Sequence, residues 1–121
     1  MTAKLLEVIT AICNRPELLD DITKSGNEYY FRYKGHVMSL SQRNIMQEED
    51  WQYVLYVYSE KYDNIQYLLE CYEHGDPDDI KVVSYNSQEI GDQAFRKLFS
   101  ILESKYLKID EIFDDILSED N

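Results

Sequence analysis

Apolar residues recur at helical spacing over residues 3–23, which predicts a helix in two pieces. The first piece carries one apolar stripe, formed by Leu5, Leu6, Ile9, Ile12 and Cys13. Pro16 then suits the first turn of a second helix, because proline is tolerated where the backbone N–H needs no partner. We expect this short helix to run from Pro16 to about Ile22 and to end at Ser25-Gly26-Asn27.

The pattern then changes to the two-residue alternation of β-strands. Glu28 to Arg43 predicts a β-hairpin that turns at Lys34-Gly35, since a glycine beside a polar residue suits a tight turn. Trp51 to Ser59 is apolar on both faces. A strand with two apolar faces is typical of the interior of a sheet, so we expect this strand to be central.

Residues 63–73 allow two interpretations. Their apolar positions follow helical spacing, and Asp63 is a suitable N-cap. The run Ile65-Gln66-Tyr67-Leu68-Leu69 also fits a strand. Helix is the prediction adopted here. Ile80 to Tyr85 predicts a short strand after the break at residues 74–79.

Residues 90–118 predict helix with a bend near Leu107 to Ile109. Asp110 is a plausible cap for the part after the bend. The apolar stripe before the bend consists of Phe95, Leu98, Phe99, Leu102 and Tyr106, and the stripe after it of Ile109, Ile112, Phe113, Ile116 and Leu117. The second stripe could dock on this protein's own core or in a partner's groove. We expect it to dock on the core, with Phe113 buried.

Together these elements predict an α+β fold with a four-stranded mixed sheet. The order is an N-terminal helix, a β-hairpin, a strand-helix-strand unit and C-terminal helices. Residues 1–121 have the usual length of a single domain. If the two strands of the 51–85 unit are parallel, their connection should be right-handed.

Charge is the most unusual property of the composition. The chain has 24 acidic and 12 basic residues, a net charge of −12. Residues 1–45 hold six basic and five acidic side chains, or +1, whereas residues 46–121 hold six and nineteen, or −13. Such a field repels nucleic acid and anionic membranes and attracts basic protein surfaces. The charge could also serve solubility alone.

Motifs for common chemistries are missing from the sequence. It contains no nucleophile elbow and no phosphate-binding Gly-Lys-Ser/Thr loop. Cys71 and His74 lie at metal-ligand spacing, but a zinc site needs about four ligands. Asp76, Asp78 and Asp79 superficially resemble the ligands of a calcium-binding loop. The segment that starts there lacks the glycine at the sixth position and the glutamate at the twelfth that such a loop requires. We therefore expect no metal, no cofactor and no enzymatic activity.

The sequence also bears on location. No run of about 18 apolar residues could span a membrane. The two cysteines are far apart, and the first residues do not resemble a secretory signal. We expect a cytoplasmic protein.

The leading hypothesis is a small binding protein, either an inhibitor or immunity-type partner or an accessory subunit. Its partner would present a basic protein surface, such as that of an enzyme that handles nucleic acid. The alternative is a small enzyme whose site is built from dispersed carboxylates and tyrosines. The residues that we expect to contact the partner are Glu48, Glu49, Asp50, Tyr62, Tyr72, Asp76, Asp78 and Asp79.

Overall fold

A computed structural model describes residues 2–44, 51–60, 64–75, 80–87 and 91–118 of the chain. The described helices are α1 (Thr2–Asn14), a 3-10 turn (Pro16–Leu18), α2 (Ile65–His74), α3 (Gln93–Tyr106) and α4 (Ile109–Leu117). The strands are β1 (Leu19–Ser25), β2 (Glu28–Tyr33), β3 (His36–Asn44), β4 (Trp51–Tyr58) and β5 (Val82–Asn86). None of the helices in these ranges combines the length and the apolar character that crossing a bilayer requires.

The α+β fold is confirmed, but within the described ranges the sheet has five strands instead of four and is antiparallel instead of mixed. Its strands follow the chain in the order β1-β2-β3-β4-β5, with every neighbouring pair antiparallel. β4 and β5 are adjacent and antiparallel, with Val54 opposite Asn86 and Tyr58 opposite Val82. The handedness expected for a parallel pair therefore does not apply to this connection.

The extra strand is β1, where the sequence pattern predicts a helix up to Ile22. Pairing with β2 shifts between Asp20 and Thr23, and Asp21 has a φ of +51°. A residue inserted into one strand turns the following side chains to the other face. Leu19 and Ile22 therefore both pack into the larger apolar cluster of the protein, although they are three residues apart. The bulge thus reproduces the apolar spacing of a helix within a strand.

The hairpin at residues 28–43 is confirmed. Tyr33 pairs with His36, and the two residues between them, Lys34 and Gly35, have φ values of +54° and +81°. Two consecutive residues of positive φ are the requirement of the type I′ turn. The interior position of the Trp51–Ser59 strand is also confirmed, because β4 lies between β3 and β5.

Each face of the sheet has its own apolar cluster. Helices α1 and α3 cover one face, and α2 lies over the other. The larger cluster consists of Ile9, Ile12, Leu19, Tyr29, Phe31, Met38, Leu40, Tyr53, Leu55, Phe95, Leu98 and Leu102. The smaller consists of Tyr30, Val37, Tyr58, Ile65, Leu68 and Ile80. We name these two sides the main face and the α2 face.

The prediction of helix at residues 63–73 is confirmed by α2, with a different cap. Asn64 takes the N-cap position, and its side-chain oxygen accepts the N–H of Tyr67 at 2.8 Å. Asp63 lies outside the described residues. The carboxylate of Asp21 also accepts the N–H of Ile65 at 2.7 Å, so the bulge of β1 is tied to the first turn of α2.

The bend predicted near residues 107–109 separates α3 from α4. Lys108 takes the left-handed conformation there, with a φ of +56°, and occupies the N-cap position of α4 without a capping side chain. The prediction that Asp110 caps this helix is wrong, since Asp110 lies in its first turn. Because a left-handed residue cannot continue a right-handed helix, α4 begins as a separate helix after Lys108.

Candidate protein-binding helix

The apolar stripe of α4 is exposed. Its side chains are exposed to 48% at Ile112, 55% at Phe113, 68% at Ile116 and 78% at Leu117. Ile109, at the start of the helix, is half-buried beside α3. The prediction that Phe113 is buried in its own domain is therefore wrong. The main face, which could have received it, is covered by α1 and α3.

The opposite side of α4 is acidic. The helix contains Asp110, Glu111, Asp114 and Asp115 and no basic residue. At about 100° per residue, the apolar side chains occupy an arc of about 140°, and the carboxylates occupy the arc opposite. Exposed apolar surface rimmed by charge is typical of a site that binds another protein.

Most of the partner-binding residues predicted from the sequence lie outside the described residues. These are Glu48, Glu49, Asp50, Tyr62, Asp76, Asp78 and Asp79. The exception is Tyr72 on α2, which is 38% exposed. Its hydroxyl shares a hydrogen bond of 2.9 Å with that of Tyr58, so it is partly engaged within its own domain.

Several polar side chains contact one another on the α2 face. This cluster is the candidate site for the alternative hypothesis, an enzyme whose site is built from carboxylates and tyrosines. Glu28 accepts hydrogen bonds from the hydroxyls of Ser39 and Tyr30, the latter at 3.5 Å. The Tyr58–Tyr72 pair lies beside them, with the rings of Tyr30 and Tyr58 6.4 Å apart. The two-residue alternation already places Glu28 and Tyr30 on one face. Their contact with Ser39 and Tyr58 depends on which residues pair across the strands, and periodicity alone does not determine this.

The hydroxyls of this cluster are poor acids. Burial, with help from the Glu28 charge, raises the pKa of Tyr30 well above its usual range. Burial and the hydrogen bond with Tyr72 raise the pKa of Tyr58 in the same direction. These hydroxyls therefore stay protonated at neutral pH. Tyr30 donates to Glu28 within β2, and the hydrogen bond between the hydroxyls of Tyr58 and Tyr72 joins the sheet to α2.

The other groups that could carry chemistry are dispersed. Among the residues described here, no group of three or more His, Cys, Asp or Glu could hold a metal ion. A cavity of about 640 Å³ lies between α1 and the start of α3, with Cys13 and Lys97 in its wall. Burial raises the pKa of the Cys13 thiol despite the Lys97 charge, so the nucleophilic thiolate is disfavoured.

Comparison of the chain with protein-family models, with curated proteins and with solved structures found no match.

Proposed function

We propose that this protein is a binding protein without catalytic activity of its own and that it engages a basic surface of another protein. It would act as an inhibitor or immunity-type partner, or as an accessory subunit. The observation that carries the proposal is the exposed apolar stripe of α4 with carboxylates on its other side. An enzyme that binds nucleic acid would present a surface of the required charge.

The stripe supplies enough apolar surface to matter for association. Fully burying one large apolar side chain is worth about 1.5–3 kcal/mol, so completing the burial of four half- to three-quarter-exposed side chains would contribute on the order of 4–7 kcal/mol. Part of this gain is offset by the lost freedom of the two partners. The acidic side would increase the rate of encounter with a basic partner, more strongly at low salt.

The alternative of an enzyme rests on the cluster around Glu28 and Tyr58. The raised tyrosine pKa values disfavour these hydroxyls as bases or nucleophiles at neutral pH. The Tyr58–Tyr72 hydrogen bond also has a structural role, since it joins the sheet to α2. The binding proposal is therefore the better supported of the two.

The experiment is affinity capture from a lysate of the source cells with the purified chain as bait. It is run at about 0.05 M and about 0.5 M salt, where screening differs severalfold. We expect a basic protein to be retained at the lower concentration and largely lost at the higher. Ile116→Ser should weaken its capture.

The matched control is Val83→Ser, which removes an equally apolar side chain that is 54% exposed on β5. This variant should capture the partner as the wild type does. If no basic protein is retained at either salt concentration, or if retention is independent of salt, the proposal is wrong.

A further inference from the structure

Some of the charge placements on α4 oppose the stability of the helix itself. Asp110 and Asp114 are four residues apart, and so are Glu111 and Asp115. Residues at this spacing are neighbours on a helix surface, and like charges there repel. The helix therefore carries two columns of like charge, along the two sides of its acidic arc.

A second unfavourable feature is the position of two carboxylates in the last turns of the helix. Asp114 and Asp115 lie near the C-terminal end of α4, which has no basic residue in its last turn. The carboxyl end of a helix dipole is negative and favours cations. Ile116 and Leu117, the most exposed apolar side chains, belong to the same end. The carboxylates that a basic surface would stabilise and the apolar side chains that a partner would bury thus lie at the same end of α4.

The width of the apolar arc indicates the shape of the partner surface. A single facing helix covers only a narrow seam, whereas an arc of about 140° is the wide kind of stripe that a helix buries against a larger surface. A groove covers such an arc from both sides. Amphipathic helices with anchors at this spacing bind in grooves of folded partners.

From these observations, and resting on the proposed function, we infer that α4 is a docking helix. It is received by an apolar groove of a partner protein whose rims carry lysine or arginine near Asp114 and Asp115. The groove covers the exposed stripe, Ile112, Phe113, Ile116 and Leu117, and its rims neutralise the two columns of like charge. Binding therefore stabilises α4 as a helix.

A second copy of this chain is the other occupant to consider. Two α4 helices packed through their stripes would leave the four carboxylates of each copy without a compensating cation, since neither helix carries one. Charge complementarity therefore favours a basic partner over a second copy.

The test uses two designed helical hairpins as probes. Both have a leucine-lined groove; one has lysine at both rims and its twin has glutamate. Binding to the purified full chain is measured by calorimetry. We expect the lysine-rimmed hairpin to bind at least about tenfold more tightly than its twin, since opposite charges attract and like charges repel across the rims. Ile112→Ser with Ile116→Ser should abolish the binding.

A double variant separates docking from helix stability. Asp114→Asn with Asp115→Asn relieves the repulsion, so hydrogen exchange of the α4 amides should become slower in the free chain. The same variant should bind the lysine-rimmed hairpin about five- to tenfold more weakly, because it loses two charge pairs. Glu7→Gln with Glu70→Gln is the control, since it removes two exposed charges from α1 and α2. It should change neither quantity.

Equal binding of the two hairpins, or binding that survives loss of the apolar stripe, would overturn the docking inference. So would unchanged binding by the Asp114 and Asp115 variant. These results would leave the proposed function standing if salt-sensitive capture of a basic protein persists. Sedimentation of the free chain as a dimer that Ile116→Ser disrupts would instead identify a second copy as the occupant and overturn the inference.

Discussion

Helices α3 and α4 are consecutive in the chain and have the same kind of amphipathic pattern, yet they differ in what covers them. Phe95, Leu98 and Leu102 of α3 have no exposed surface. Phe113 and Ile116 of α4 are more than half exposed. The periodicity that predicts each stripe is a property of the chain alone. Its burial depends on the space that the rest of the fold leaves, and α1 and α3 already cover the main face of the sheet.

The comparison also shows where function can reside in a small domain. The stripe of α3 contributes to the core, since it packs against α1 and the sheet. The stripe of α4 is exposed beyond the left-handed Lys108. An apolar surface kept outside the core makes aggregation more likely unless a partner binds it, and this disadvantage is itself an argument for binding.

The largest expected effect is a loss of stability when a buried side chain of α3 is truncated. Phe95→Ala leaves a cavity under α3 and should lower the free energy of unfolding by about 3–5 kcal/mol. The measurement is equilibrium unfolding in urea, with the slope compared between variants. A loss below about 1 kcal/mol would mean that α3 does not form the core, and the comparison would fail.

Much of the fold could be predicted from local pattern. The two-sided apolar run at Trp51–Ser59 is sufficient to identify an interior strand, and Lys34-Gly35 identifies the turn of the hairpin. β1 could not be predicted, because the bulge at Asp21 gives its apolar residues helical spacing. The error in strand count follows from the missed β1. The error in direction is separate, since it concerns β5, which pairs antiparallel with β4, and local pattern does not determine that pairing.

The candidate site was predictable in part. The amphipathic character of residues 109–118 and their acidic side are visible in the sequence, and both alternatives for the stripe follow from them. Whether the stripe packs on its own core or stays free for a partner depends on tertiary packing, and the prediction that Phe113 is buried is wrong. The prediction that the acidic loops, such as Glu48 to Asp50, contact a partner concerns residues outside the described ranges and stays a prediction.

A smaller effect is expected at the joint between the two helices. Lys108 has a positive φ of +56°, which glycine adopts without the clash of a side chain. Lys108→Gly should therefore raise the free energy of unfolding by about 0.5–1 kcal/mol, as glycine commonly does after a helix end. Urea unfolding measures it, with Lys105→Gly as the control. That variant places glycine inside α3 and should destabilise by a similar amount. A loss of stability in Lys108→Gly would contradict the left-handed joint.

The smallest effect is expected for Phe113→Ala, and it tests the comparison most directly. The ring is 55% exposed, so its removal opens no cavity in the core. Phe113 and Leu117 are four residues apart, and an apolar pair at this spacing stabilises a helix by about 0.2–0.5 kcal/mol, which the variant loses. Alanine regains a similar amount through its higher helix propensity. The free energy of unfolding should therefore stay within about 0.5 kcal/mol of the wild type, as for other surface substitutions. Measured in the same urea series as Phe95→Ala, a loss of about 3 kcal/mol or more would show that Phe113 is buried in its own domain. The exposed stripe would then be absent in solution, and the docking role of α4 would lose its basis.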